Sequence, residues 1–184
     1  MGRVFITGFE QLKANMRNEL NNMAYASAEG MVKAAEMIKQ SMDTQSPTIP
    51  KKTGDLSRSW FIVSTLGIHA GKSPAFIGPD AALKSARHAG ALTLANTEVH
   101  SSPGVNVEFG FSVPYAIWVH EMPEGTDWSR QGSGPKFLEK AIKANKDKII
   151  TVIQQTYLLK GYGKTTGGIG QSFRQDIMSG KFTK

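Results

Sequence analysis

Residues 9–44 read FEQLKANMRNELNNMAYASAEGMVKAAEMIKQSMDT. Within them Phe9, Leu12, Met16, Leu20, Met23, Ser27, Met31, Ala35, Ile38 and Met42 recur every three or four positions, a single stripe at the helical period. Thr7-Gly8-Phe9-Glu10 fits a capping box, in which the Thr7 hydroxyl and the Glu10 carboxylate satisfy free amides reciprocally. Only Gly30 interrupts the pattern, at about 1 kcal/mol relative to alanine. The spacing predicts one helix of about 54 Å at 1.5 Å per residue, roughly three times the ordinary ~11–12-residue helix. One small domain covers only part of such a stripe, so the rest is expected to bury against another subunit. Leu12, Met16, Leu20, Met23, Met31 and Ile38 are the candidate contact residues.

Outward from this helix, Ser46-Pro47-Thr48-Ile49-Pro50 ends it, because proline lacks the amide donor and disfavours helix in the residue before it. Lys51–Asp55 reads as a turn, and Leu56–Leu66, rich in β-branched and aromatic residues, as a strand. Residues 67–104 hold many Gly, Ala, Ser and Pro, with a short helix at Asp80–His88 and a strand at Leu92–Val99 as the expected elements. Val105, Val107, Phe109 and Phe111 alternate with Asn106, Glu108, Gly110 and Ser112, the pattern of a half-buried antiparallel strand. Tyr115–His120 is an apolar segment that fits either short strand or helix. After the polar loop Met122–Gly134, Pro135 suits a first helical turn. Leu138, Ala141, Ile142, Ile149, Val152, Ile153 and Tyr157 then mark a second amphipathic helix that stops at Gly161.

The fold class expected is α+β. It comprises a long N-terminal helix, a small antiparallel sheet, a second amphipathic helix packed on it, and a mobile basic C-terminal tail. Residues 1–160 form the single domain of this reading and residues 161–184 the Gly-rich extension.

The composition is globular, with 40% apolar and 20% charged residues among 184. No apolar run approaches the roughly 20 residues of a membrane-spanning helix, and Met1–Thr7 has no long apolar core, so neither a membrane protein nor a secretory signal is expected. Cysteine is absent, which excludes disulfides, thiol nucleophiles and Cys-based zinc sites and suits a reducing cytosol. The net charge of +7 comes from 22 basic and 15 acidic side chains. The stretch 51–100 contributes six basic against three acidic, and the stretch 160–184 five against one. Basicity of this kind permits contact with nucleic acid or an acidic partner.

Catalytic motifs lack their context. Gly161-Tyr162-Gly163-Lys164-Thr165-Thr166 ends like a phosphate-binding loop, but Leu158 stands where the motif needs glycine and a helix precedes it. His120-Glu121-Met122-Pro123-Glu124 starts like a zinc-protease helix without the second histidine, and His69, His88, His100 and His120 are scattered. Among the acids Asp55, Glu108, Glu121, Glu124 and Asp127, nothing in the sequence fixes two at a working distance. No enzyme activity, cofactor or metal is expected. The nearest nucleic-acid footprint is Lys51, Lys52, Arg58 and Trp60, with Tyr162, Lys164, Phe173, Arg174, Lys181 and Phe182 in the tail.

Three ordered stretches carry a resemblance. They are Lys52-Thr53-Gly54-Asp55-Leu56-Ser57-Arg58-Ser59-Trp60 after the long helix, Val113-Pro114-Tyr115-Ala116-Ile117-Trp118-Val119-His120-Glu121 after the alternating strand, and Gly134-Pro135-Lys136-Phe137-Leu138-Glu139-Lys140-Ala141 at the last helix start. Together, over about residues 7–159, they resemble the small neck or tail-completion (head–tail joining, "minor capsid") proteins of long-tailed bacteriophages. The family pattern falls on Thr53, Gly54, Leu56 and Ser59, on Tyr115, Ala116, Val119, His120 and Glu121, and on Lys136, Phe137 and Leu138. Segment 67–104 is longer than the family's hairpin, and the tail has no counterpart in it.

The motif residues also suit packing and turn roles. Gly54 can take the positive φ of a tight turn. Leu56 and Trp60 share a face of the expected strand, as do Tyr115, Ile117 and Val119 if extended.

The resemblance implies a structural virion protein forming a six- or twelve-fold homo-oligomeric ring at the head–tail neck, assembled in the host cytoplasm. Its implied partners are the adjacent head-completion or connector protein and the tail-terminator or tail-tube protein, with non-specific contact to genomic DNA in the channel. A tail terminator or other tail component, or a basic nucleic-acid-binding accessory protein, is the alternative. In the tail, Ile169, Phe173, Ile177 and Met178 recur at helical spacing and form a candidate arm that orders on a partner.

Overall fold

The computed structural model describes residues 9–160, with side chains from Lys13 onward. The capping residue Thr7, the Leu12 side chain and the tail residues Ile169, Phe173, Ile177 and Met178 lie outside the described residues. The chain runs through α1 (Phe9–Thr44), α2 (Asp55–Arg58), β1 (Trp60–Ser64), β2 (Gly67–Ala70), α3 (Ala81–Ser101), β3 (Val107–Phe111), α4 (Ala116–His120), α5 (Phe137–Ala144) and α6 (Lys146–Leu159). This is an α+β arrangement around one antiparallel sheet of order β2-β1-β3.

Strand β1 organises the layers. All five of its residues are buried, and their alternation sends them to opposite faces. Trp60 and Ile62 join Val32, Ala35, Ile38, Met42 and Phe137 in the core beneath α1 and α5. Phe61 and Val63 pack with Leu92, Ala95 and Val99 of α3 on the other face. The sheet is therefore covered by helices on both sides.

Helix α1 spans the predicted 36 residues. One face of its C-terminal half is buried, from Ala26 to Met42, whereas residues 13–22 are exposed. The paired helix α5–α6 covers the buried half and runs antiparallel to it. Asn145 donates from Nδ2 to Ser41 Oγ at 2.9 Å at one end, and Lys160 Nζ meets Glu29 Oε2 at 2.9 Å at the other. Where the helices approach most closely, Gly30 faces Ile153, and a Cβ added there would stand 3.0 Å from the Ile153 Cα.

Several elements differ from the sequence reading. The segment Leu56–Leu66 is not one strand: Asp55–Arg58 makes a helical turn and pairing begins at Trp60. Leu56 from the turn and Trp60 from the strand both still reach the core. The short helix Asp80–His88 and the strand Leu92–Val99 are a single helix, α3. Its buried residues His88, Leu92, Ala95 and Val99 follow helical spacing, so packing on β1 overrides the local strand preference of the threonines and valine.

Tyr115–His120 is helical, not extended, so Tyr115, Ile117 and Val119 do not share a strand face. The second helix is broken at Asn145, whose side chain turns inward to Ser41 Oγ and to the Ala141 carbonyl. Pro135 precedes the α5 cap and is not its first turn, since Lys136 sits left-handed at φ 56° before Phe137.

Candidate functional site

The three motif stretches meet around α4. In the first, Gly54 adopts φ 84°, the left-handed conformation glycine permits, and starts α2. Arg58 Nη1 donates to the Thr53 carbonyl at 2.9 Å, and Ser59 Oγ donates to the Leu56 carbonyl at 2.8 Å, which closes the turn. Asp55 is fully buried beneath it. Lys84 Nζ of α3 donates to Asp55 Oδ2 at 2.8 Å, Arg58 Nη1 lies 3.5 Å from Oδ1, and the Ile77 amide lies 3.4 Å from Oδ1. The Lys84 hydrogen bond is the main influence holding the Asp55 carboxyl below its usual range, against the opposing effect of burial. Asp55 is thus neutralised from a helix that lies beyond two strands and a loop in the chain, a link the sequence does not announce.

Tyr115 stands over this turn and bonds the Thr53 side chain; burial first, and the Asp55 charge second, push its hydroxyl pKa up. Between them lies a cleft of about 400 Å³ with Leu56, Val119, Met122 and Trp128 among its walls and Lys52 and Asp127 at its polar margin. The opposite side of α4 faces a second groove of about 320 Å³ bounded by Gly110, Phe111, Ala116, Ile117, Phe137 and Leu138.

The third stretch closes the other side of α4. Phe137 is buried and meets Phe111 and His120 edge-on, with ring centroids 5.8 and 5.0 Å apart. The Lys136 amide donates to the His120 carbonyl at 2.8 Å. Glu121 receives the Lys136 ammonium and lies 2.8 Å from His120 Nδ1. The Lys136 bond, with a smaller contribution from His120, keeps the Glu121 carboxyl low. The motif residues Thr53, Gly54, Leu56, Tyr115, Val119, His120, Glu121, Lys136 and Phe137 therefore act together as the frame that mounts α4. Ser59 and Ala116 fill the same frame from inside, and Leu138 edges the second groove.

What that frame presents is apolar. Ile117 and Trp118 on α4 are 66% and 74% exposed, and Met16 and Leu20 on α1 are 58% and 62% exposed. Met23 and Met31 are half-buried. Ile38, grouped from sequence with the intersubunit stripe, is taken up by the chain's own core.

Other candidates change place. Trp60 is buried against Phe109 and Phe111, so it offers no stacking face beside Lys51 and Lys52. His88 is buried, within 2.6 Å of Ser112 Oγ and bonded to the Gly71 carbonyl, and anchors α3 to the sheet. One carboxylate pair does form: Glu108 of β3 hydrogen-bonds Glu98 of α3, and burial followed by this neighbour pushes the Glu108 pKa up. Among the described residues no group of three His, Asp or Glu side chains converges, and no helix is long and apolar enough to cross a membrane.

Against known proteins, no family model, curated protein or solved structure matches this chain.

Proposed function

We propose that the chain is a non-enzymatic structural protein of the virion that assembles into a closed ring at the head–tail junction of a long-tailed phage. The observation that carries this reading is the split of α1. Its C-terminal half is enclosed by the chain's own core, while its N-terminal half extends beyond α6 with Met16 and Leu20 open to solvent. A second apolar surface, Ile117 and Trp118, lies on α4, which the three motif stretches hold in place. Two different apolar surfaces on one protomer suit a head-to-tail contact, and such a contact closes into a ring when its rotation divides the circle. The ordered resemblance of the motifs to phage neck proteins supplies the location.

The test is cryo-electron microscopy of particles carrying a tagged version of this chain. Density for the tag in a ring between portal and tail supports the proposal. Density at the distal end of the tail, or on the capsid surface, overturns the location. A chain that stays monomeric in solution and is missing from particles overturns the ring.

A further inference from the structure

The sheet has two edges, and they differ. Strand β2 is four residues long, and its register with β1 slips between Ile62 and Val63. Such an irregularity blunts an edge against further pairing. Strand β3 pairs with β1 without interruption, from Trp60 opposite Phe111 to Ser64 opposite Val107.

The flanking bonds fix the alternation along β3. The Ser112 amide donates to the Ser59 carbonyl at 3.0 Å and the Thr65 amide to the Asn106 carbonyl at 3.2 Å. Residues 106, 108, 110 and 112 therefore turn their amides and carbonyls toward β1, and Val107, Phe109 and Phe111 turn theirs out of the sheet. Among the described residues no backbone hydrogen bond outside the sheet reaches these outward groups. A regular open row of this kind is a template for another strand.

The surroundings give the edge a sidedness. On the α1 side it borders the 320 Å³ groove of Phe111, Ile117 and Leu138, with His120 and Glu121 at one margin. On the α3 side it offers the Glu108–Glu98 pair, which has two carboxyl groups and no cation in its hydrogen bond. Beside that pair is Gly110, where an added Cβ would meet just the Phe61 ring, at 3.9 Å. A complementary strand would carry aliphatic side chains at alternate positions, with a cation and a large side chain between them.

We propose that the β3 edge accepts residues 3–7 of a second copy of this chain as an added strand. The segment reads Arg3-Val4-Phe5-Ile6-Thr7, β-branched and aromatic. Its alternation fits one way round in either strand direction. In that parity Val4 and Ile6 would lie over the groove of Phe111, Ile117 and Leu138, Arg3 on the side of Glu108 and Glu98, and Phe5 on the side with space above Gly110. The reverse parity would set Arg3 over the groove, where the Glu121 carboxylate is already paired with Lys136, and would leave the Glu108–Glu98 pair without a cation.

The donor is a neighbour because of where α1 leads. Beyond Tyr25, where Lys160 of the α6 end sits 5.6 Å from the ring, the helix continues for about 24 Å at 1.5 Å per residue before it reaches Phe9. Phe9, the helical residue nearest the donor segment in sequence, thus stands far from the chain's own sheet. This inference deepens the ring reading and rests on it, since it names the contact that links successive protomers.

Hydrogen–deuterium exchange on the full chain, at low and high protein concentration, tests it. Two variants accompany it: one lacking residues 2–7, and the full-length double variant Val4→Asp, Ile6→Asp. Neither touches the described core. The Val107, Phe109 and Phe111 amides are expected to exchange about tenfold or more slower in the concentrated full chain than in either variant, and to speed up on dilution. Fast exchange in the full chain at every concentration overturns the proposal. Slow exchange that survives in both variants also overturns it, because another segment then covers the edge. Protection independent of concentration overturns the second copy as donor. Arm-dependent protection in a protein absent from the phage neck leaves the strand addition standing and removes the ring's location, so the two readings fail separately.

Discussion

Asp55 and Lys84, on separate helices, form a 2.8 Å ion pair that ties the Gly54 turn to helix α3. The carboxylate is buried and the ammonium partly open to solvent. Removing the cation would leave an uncompensated anion beneath the turn. Removing the anion would empty a polar pocket that Ile77 and Arg58 also serve.

Asp55→Ala is expected to destabilise the fold by about 1–3 kcal/mol at neutral pH, the range for leaving buried hydrogen-bonding groups without a partner, since the Lys84 ammonium left behind reaches solvent. Because the Asp55 carboxyl is held below its ordinary value, its contribution is complete above the unfolded value of about 3.9. It is lost as the pH falls through the lowered folded value. Chemical denaturation across pH should therefore show a wide gap between variant and native chain at neutral pH, closing only in strong acid. A gap that closes near neutrality would contradict this role.

Glu108 carries the opposite sign. Its carboxyl is held above the usual range by burial and by Glu98, so between the ordinary value and the raised one the folded state binds more proton than the unfolded chain. Stability from this group falls as the pH rises from the ordinary glutamate value through the raised one. Glu108→Gln should raise stability at pH 7 by about 0.2–1 kcal/mol, the size of one partly exposed charge pair. The advantage should shrink as the pH is lowered toward the ordinary glutamate value of about 4.3. Thermal melts of both chains at several pH values measure it.

Gly30→Ala separates helix propensity from packing. Propensity alone would make alanine more stabilising by about 1 kcal/mol. The added Cβ, however, would stand 3.0 Å from the Ile153 Cα and 3.2 Å from its carbonyl oxygen, both backbone atoms. The expected result is a net loss of about 1–3 kcal/mol, as for other overpacked contacts, together with displacement of α6. A higher melting temperature in this variant would show that the helices can separate without loss.

Met16→Glu with Leu20→Glu should leave the monomer's stability within about 0.5 kcal/mol, because exposed substitutions rarely exceed that. Both side chains face solvent in the isolated chain. Ring assembly, read by light scattering after gel filtration, should be lost. Truncation is a useful comparison only up to residue 22: Ala26 and Ala28 are buried and Gly30 packs on α6, so a cut at residue 30 would damage the fold itself.

Periodicity along the chain determined the parts of this protein that depend on local order. The 36-residue helix α1 and strand β3 were both legible because each repeats one pattern without a competing signal. Two local expectations of residue chemistry hold as well: Gly54 takes a positive φ in its turn, and Phe137 at the start of α5 is buried. Tertiary structure decided what depends on neighbours distant in sequence. Helix α3 is whole because Leu92, Ala95 and Val99 find Phe61 and Val63, a contact stronger than the strand preference of the segment taken alone. Asn145 breaks the last helix because Ser41 is there to receive its amide. Trp60 is lost to any ligand, Asp55 gains a cation, and Glu108 gains a second carboxyl, each through a partner on a different element of the fold. The division within α1 is of the same kind. One stripe runs the length of the helix, but only the arrival of α5 and α6 on its C-terminal half decides which residues are core and which remain open, since burial is a property of the neighbours a side chain meets and not of the side chain.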